Sequence, residues 1–246
     1  AYEILTCDWS SDVCSSDLWE FVERYDLPGN AQRVAEEAAA LLRAKPCPSG
    51  VTAVILDGSQ VALQIHESCG HAIELDRVLG HEANYAGTSF LTTDRLGTLR
   101  YGSEHVHLVA DATAPRGLGT FGFDDEGNPA RRNVLIEDGM LVDYLWDGNR
   151  AREEGRPSSG NGRRQSYRHL PMVRMTNTYL LPGTDDPDDI VRDTDYGIYC
   201  VQLGGGSVNT ATGDFVFGVT EAYLIEHGEI TVPLRAAQLV GNGPDV

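Results

Sequence analysis

Apolar and polar positions change period sharply along this chain, and the change divides it. Residues 31–45, AQRVAEEAAALLRAK, are rich in Ala, Leu, Glu and Arg and have high helix propensity, with Asn30 as the expected N-cap. Pro46-Cys47-Pro48-Ser49-Gly50 stops that helix and reads as a linker. Val51 to Leu56 is a short β-branched run, the pattern of a buried strand, and Asp57-Gly58-Ser59 turns the chain. Gln60 to Leu79 returns to helical spacing, with Gly80 as its stop.

Beyond Gly80, short β-prone runs alternate with turn residues. The clearest strands are Val106 to Ala110, Val134 to Glu137, Met140 to Trp146, Phe215 to Ile225 and Glu229 to Leu234. Two hairpins share one chemistry. Asp138-Gly139 and His227-Gly228 each sit between strand-like runs, the signature of a tight primed turn. Asp147 to Gly155 and Pro187 to Tyr196 are expected as short helices, the second with Asp188 and Asp189 suited to its N-terminal dipole. The expected fold class is α+β, a metal-bearing helix followed by a mostly antiparallel β-rich domain.

Residues 1–18 fit neither period. Asp8 to Leu18, DWSSDVCSSDL, resembles the translation of a sequencing-library adapter, so this segment is expected to be artefactual. Residues 1–18 are therefore set apart from the rest of the chain as an expected artefact.

Composition narrows the function. The formal net charge is −18 over 246 residues, and setting aside Glu3, Asp8, Asp12 and Asp17 leaves it strongly acidic. Such a surface repels nucleic acid and anionic lipid, so neither is an expected partner. No apolar run approaches a membrane span. Two of the five cysteines, Cys7 and Cys14, lie in the adapter-like segment. Cys47, Cys69 and Cys200 form no disulfide framework, which favours a reducing, cytoplasmic setting.

The chemistry-bearing segment is His66-Glu67-Ser68-Cys69-Gly70-His71. Two histidines four apart share a helix face; here they are five apart, about 140° around an ideal helix. Both reach one metal only if the helix is locally distorted. A single π-type turn would suffice, and Gly70 is the residue most able to relax the backbone. Within zinc chemistry His66 and His71 would be neutral ligands, joined by a third protein ligand. Glu67 would be the general base, taking a proton from water and returning it to the leaving amine. Glu74 and Asp76 could orient a ligand histidine from behind. The bland alternative is a helix with two polar residues on different faces.

HESCGHAIELD resembles the HExxxHxxExD helix of the TldD/PmbA family of zinc metallopeptidases. Further stretches match that family in order: Tyr85 to Phe90, Gly160 to Arg164 through Tyr167, His169 to Met172, Arg174 to Tyr179, Gly204 to Gly206, Thr212 to Phe217 and Glu221 to Glu226. The resemblance covers roughly residues 19–246 and places the chain on the TldD side; it implies that 19–45 is the end of the family's N-terminal α/β domain and 46–246 its metallopeptidase C-terminal domain, truncated before its end. It implies a zinc peptidase acting on short peptides or unfolded proteins, as a homodimer or as a heterodimer with a PmbA-type subunit. It also implies a third zinc ligand, a cysteine beyond Val246, with Cys69 and Cys200 outside the ligand set.

Expected substrate contacts are Asn161, Arg163 and Arg164, able to hold a peptide carboxylate or carbonyl; equally, that loop could pin two segments together. Gly205 would admit a substrate backbone, and His169 could line the cavity. A substrate bound as an extended strand, along Gly160 to Arg164 or Gly204 to Ser207, follows from the glycine-rich segments. His105 and His107 read more simply as surface histidines. A non-catalytic assembly subunit, and a β-rich binding module with a fortuitous motif, are the competing readings.

Overall fold

The computed structural model describes residues 18–245, so the adapter-like segment lies almost wholly outside the described residues. Two helices, α1 (Leu18–Tyr25) and α2 (Leu27–Leu41), lead the chain. α2 starts earlier than Asn30. Asp26, in the left-handed region, accepts a hydrogen bond from the Gly29 N–H, and Pro28 occupies the first turn, where its missing donor costs nothing.

Strands β1 (Lys45–Pro46), β2 (Ala53–Leu56), β9 (Tyr196–Asn209), β10 (Asp214–Glu226), β11 (Glu229–Arg235) and β12 (Ala237–Asn242) form a six-stranded sheet. Its order is β1-β11-β10-β9-β2, and β12 pairs with the other half of β10's length. β1 and β2 join in parallel; the rest is antiparallel. A second sheet orders as β5 (Met140–Leu141), β4 (Arg132–Glu137), β3 (Leu108–Asp111) and β8 (Thr178–Leu180). A two-stranded ribbon pairs β6 (Gly162–Arg163) with β7 (Met172–Val173). Helices α5 (Gly148–Glu153) and α6 (Pro187–Arg192) are capped by Asp147 and Asp186. The α+β class holds.

Both primed turns are present. Glu137 pairs with Met140 and Glu226 with Glu229, and the residues between, Asp138-Gly139 and His227-Gly228, all have positive φ. Other expectations change. The linker contributes β1, paired with β11. β2 is half exposed rather than buried. Met140 to Trp146 keeps only two residues in a strand, because Leu145 pairs instead with Glu74.

The 14-residue strand β9 went unread because its Gly204-Gly205-Gly206 centre breaks the alternating pattern. Those glycines answer two local needs. From Phe217↔Gly206 to Val219↔Leu203 the ladder advances two residues on β10 and three on β9. The extra residue makes a bulge, with Gly205 at φ +79°. A Cβ on Gly206 would overlap the carbonyl oxygen of Val216. Phe215 and Phe217 stack at 4.7 Å as buried core residues.

The main core lies between the second sheet and the chemistry-bearing segment. Ile65, Cys69, Ala72, Ile73 and Leu75 pack with Leu108, Leu135, Ile136, Leu141, Leu145 and Met175. Each fully buried aliphatic side chain stabilises the fold by about 1.5–3 kcal/mol. The segment carrying His66, Glu67 and His71 is thus anchored by its apolar positions.

Candidate metal centre

The helix expected over Gln60 to Leu79 is four pieces. α3 (Gly58–Gln64) runs into a π turn, Ile65–Gly70, then a 3-10 turn, His71–Ile73; after an extended Glu74 comes α4 (Leu75–Val78). The His71 N–H donates to the His66 carbonyl, five residues back, which defines the π turn. The extra residue rotates His71 onto the side of His66. Their ring centroids are 4.5 Å apart with planes at 82°. Among the described residues, His66, Glu67 and His71 form the one group of three potential ligands, each offering an atom within 4.8 Å of the others. All three are partly accessible, whereas Ser68, Cys69 and Gly70 are buried.

Two contacts from distant segments hold this turn. The Tyr101 hydroxyl donates to the Ser68 carbonyl at 2.7 Å. Met175 packs against Gly70 so closely that a Cβ there would overlap its sulfur. Gly70 itself has ordinary helical angles, φ −58° and ψ −53°. Close approach of the Met175 side chain, not backbone relaxation, is therefore what glycine accommodates here. Gly70→Ala is expected to lower stability by about 1–3 kcal/mol through overpacking. In a Met175→Ala background, itself less stable through the cavity it leaves, the further loss from Gly70→Ala should largely vanish, since the backbone accepts alanine. Urea unfolding of both single variants and the double variant checks this; additive losses would return the explanation to the backbone.

At Glu74 the backbone opens to ψ 113° and pairs with Leu145: the Leu75 N–H donates to the Leu145 carbonyl, and the Leu145 N–H to the Ile73 carbonyl. The break turns the Glu74 carboxylate back towards His71, whose Nδ1 lies 3.1 Å from Oε2. Glu74 is fully buried. Arg77 Nη2 donates to the same oxygen at 3.0 Å, and Arg174 Nη1 stands 3.9 Å away. Arg174 also donates to Glu82 at 2.7 Å, which Arg77 approaches at 3.8 Å. Asp76, the other expected orienting group, does not reach a ligand histidine. It is drawn off by Arg150 at 3.1 Å and by the exposed His81 at 3.7 Å.

Burial raises the Glu67 pKa, against the lowering charges of His71 and Arg77. For Glu74 burial acts upward, but the His71 hydrogen bond and the charges of His71, Arg174 and Arg77 outweigh it and hold the carboxyl below its usual range. For His71 burial acts downward and Glu74 reverses it, leaving the ring above its ordinary value. Cys69, wholly buried beside Tyr101, is pushed up to about 11. Cys200 lies in a separate core cluster and is pushed up to about 12 by burial. Neither joins the candidate ligands; Cys47, Cys69 and Cys200 are free thiols.

The expected substrate residues separate. Asn161 is fully buried: its Oδ1 accepts from Ser159 and its Nδ2 donates to the Arg174 carbonyl at 2.9 Å. Arg163 donates to the Met175 carbonyl. Both pin the segment that braces the metal turn. Arg164 pairs with Asp125 at 3.4 Å at the surface, and exposed His169 meets Ser166 at 2.9 Å. Gly205 lies in the β9 bulge with open space beside it. His105 is exposed, and His107 lies 3.6 Å from Asp138. Reading the sequence missed Tyr101, Met175 and Arg174 as supports; the RMTNTY stretch was visible as a motif, but nothing local ties it to the metal turn.

The donors suit a divalent metal: two imidazoles and a carboxylate, partly accessible on a rigid backing, with a buried carboxylate behind one ring. Residues 49–246 match the family model described as "PmbA/TldA metallopeptidase C-terminal domain". A "Metalloprotease TldD homolog" of Buchnera aphidicola is 42% identical over 205 residues, 83% of this chain and 41% of that protein. A "Zinc metalloprotease TldD homolog" of Saccharolobus solfataricus is 29% identical over 235 residues, 94% of this chain and 50% of its own. The crystal structure of TldE from Thermococcus kodakarensis superposes with a TM-score of 0.75 at 26% identity, covering 89% of this chain and 48% of that one. The chain thus spans half or less of the length of these relatives.

Proposed function

We propose, from the premise that this chain belongs to the PmbA/TldD metallopeptidase family, that it carries the metal-binding and proton-transfer half of a zinc peptidase acting on short or unfolded peptides. The observation that carries this reading is the π turn. It sets the imidazoles of His66 and His71 side by side, with Glu67 between them in sequence and within ligand distance in space. Imidazole ligands suit zinc among the first-row transition metals, and the name of the Saccharolobus relative favours zinc.

Bound there, a zinc ion would supply Lewis acidity, lowering the pKa of a water and polarising the scissile carbonyl. The chain's own residues do the rest. Glu67 accepts the proton of the attacking water and delivers it to the leaving nitrogen. His66 and His71 serve as neutral ligands, and the packed face of Ile65, Cys69 and Ile73 keeps the turn from relaxing.

The substrate would lie as an extended strand. β2 covers one edge of β9 only from Gly197 to Cys200; from Gln202 onward that edge has no ladder partner among the described residues. β9 also passes within 8 Å, Cα to Cα, of the metal turn. Backbone pairing along Gly204 to Ser207 would read little side-chain identity and exclude folded chains. The Gly160 to Arg164 loop supports this less well, because Asn161 and Arg163 are spent on internal carbonyls. The chain would act in a reducing compartment, consistent with its free thiols, and assemble as a dimer with itself or with a PmbA-type subunit.

Elemental analysis of the full-length protein, paired with peptidase assays on an unfolded protein and on a stably folded one, tests the proposal. One zinc per chain and cleavage confined to the unfolded protein are expected. A protein that binds no metal, or that cuts the folded domain equally well, would refute it.

A further inference from the structure

We propose that Glu74 is a positioning residue of the metal centre. It accepts the hydrogen bond of the His71 Nδ1–H and so holds the ring in the tautomer that offers Nε2 to the metal. This inference rests on the metallopeptidase reading above and concerns how one of its ligands is held.

The assignment of the proton follows from the donors and acceptors present. Glu74 Oε2 lies 3.1 Å from His71 Nδ1, and an ionised carboxylate only accepts, so Nδ1 must donate. Arg77 Nη2 is 3.4 Å from the same nitrogen, but a guanidinium cannot accept. Its hydrogen is directed at Glu74 Oε2, at 3.0 Å. Nδ1 is therefore occupied by Glu74, which leaves Nε2 as the ring nitrogen able to ligate a metal.

Glu74 can perform this role because its Oε2 is held from several sides, Oε1 being buried without a hydrogen-bond partner. It is fully buried, and the backbone break that aims it is fixed by the paired Leu145. Arg77 holds it from its own helical segment, and Arg174 from a remote one. Arg174 is itself pinned, since Asn161 holds its carbonyl and Glu82 its guanidinium. A carboxylate so placed raises the basicity of the imidazole it accepts from and restricts the ring's rotation.

The test uses the full-length protein and zinc itself, by competition with a chromophoric chelator. Glu74→Ala is expected to weaken zinc binding by about 10–100-fold. Glu74→Gln keeps an acceptor oxygen and should lose less. Histidine nitrogen NMR of the unsubstituted protein should show His71 protonated on Nδ1. A folded Glu74→Ala variant with undiminished zinc affinity would overturn the proposal. So would a His71 proton on Nε2, and that spectrum decides the matter if Glu74→Ala does not fold. If the unsubstituted protein binds no zinc, the metallopeptidase reading fails, while the tautomer still reports whether Glu74 holds the ring.

Discussion

Glu67→Gln, in the full-length protein, is expected to retain its zinc and to lose peptidase activity by roughly 10²–10⁴-fold, the usual contribution of a positioned general base. The substitution preserves side-chain shape and leaves both imidazoles in place. It removes only the acceptor that takes a proton from the attacking water. Because Glu67 is needed as the reaction proceeds rather than to bind the ground state, the loss should fall on kcat more than on KM. Zinc content by elemental analysis, alongside turnover of an unfolded protein, separates the two effects. Near-normal turnover would place the base elsewhere. Lost zinc would make Glu67 a ligand, a role the grouping of its carboxylate with the two imidazoles also permits.

Arg174→Met should destabilise the fold by about 3–5 kcal/mol, the range for breaking a buried ion pair from one side. In the intact protein Glu74 and Glu82 share two guanidinium groups, Arg77 and Arg174, and all four side chains are largely buried. Methionine fills similar volume but leaves Arg77 as the one guanidinium between two buried carboxylates, with the His71 ring still at Glu74. The pH dependence distinguishes this from lost packing. Glu74 is held below its ordinary pKa, so its contribution is present above the unfolded carboxylate value of about 4.3 and is lost as pH falls through the lower folded value. With one guanidinium removed, the carboxylate pKa values rise and that contribution shrinks. The stability gap between variant and parent should therefore be wide at neutral pH and close towards acid. Urea unfolding at several pH values measures it; a gap independent of pH would make Arg174 a packing residue.

Much of the local structure could be read directly from residue order. The primed turns at Asp138-Gly139 and His227-Gly228 form because few residues tolerate two successive positive φ values, and those that do are recognisable. The helix through Ala31 to Leu41 follows from propensity. If both rings are to meet one metal, the His66–His71 spacing requires a distorted turn, since five residues on a regular helix leave the rings pointing apart. These are backbone constraints, and they act over a few residues.

Tertiary structure alone decided what holds the site. Glycine at position 70 is needed because Met175 arrives from 105 residues further along the chain, as the two residue numbers show. Glu74 faces His71 because Leu145 pairs with its backbone and breaks the helix there. Asp76, two residues away, is captured by Arg150 and never reaches a ligand. Asn161 and Arg163, polar and glycine-flanked as substrate-binding residues often are, turn inward to hold Arg174 and Met175. The strand β9 could not be read because the glycines that permit its bulge also erase its alternation. Residue order fixes which side chains can ligate, cap or turn. Which buried charge meets which partner depends on the whole fold, because desolvation makes each unpaired group costly enough to choose among distant alternatives.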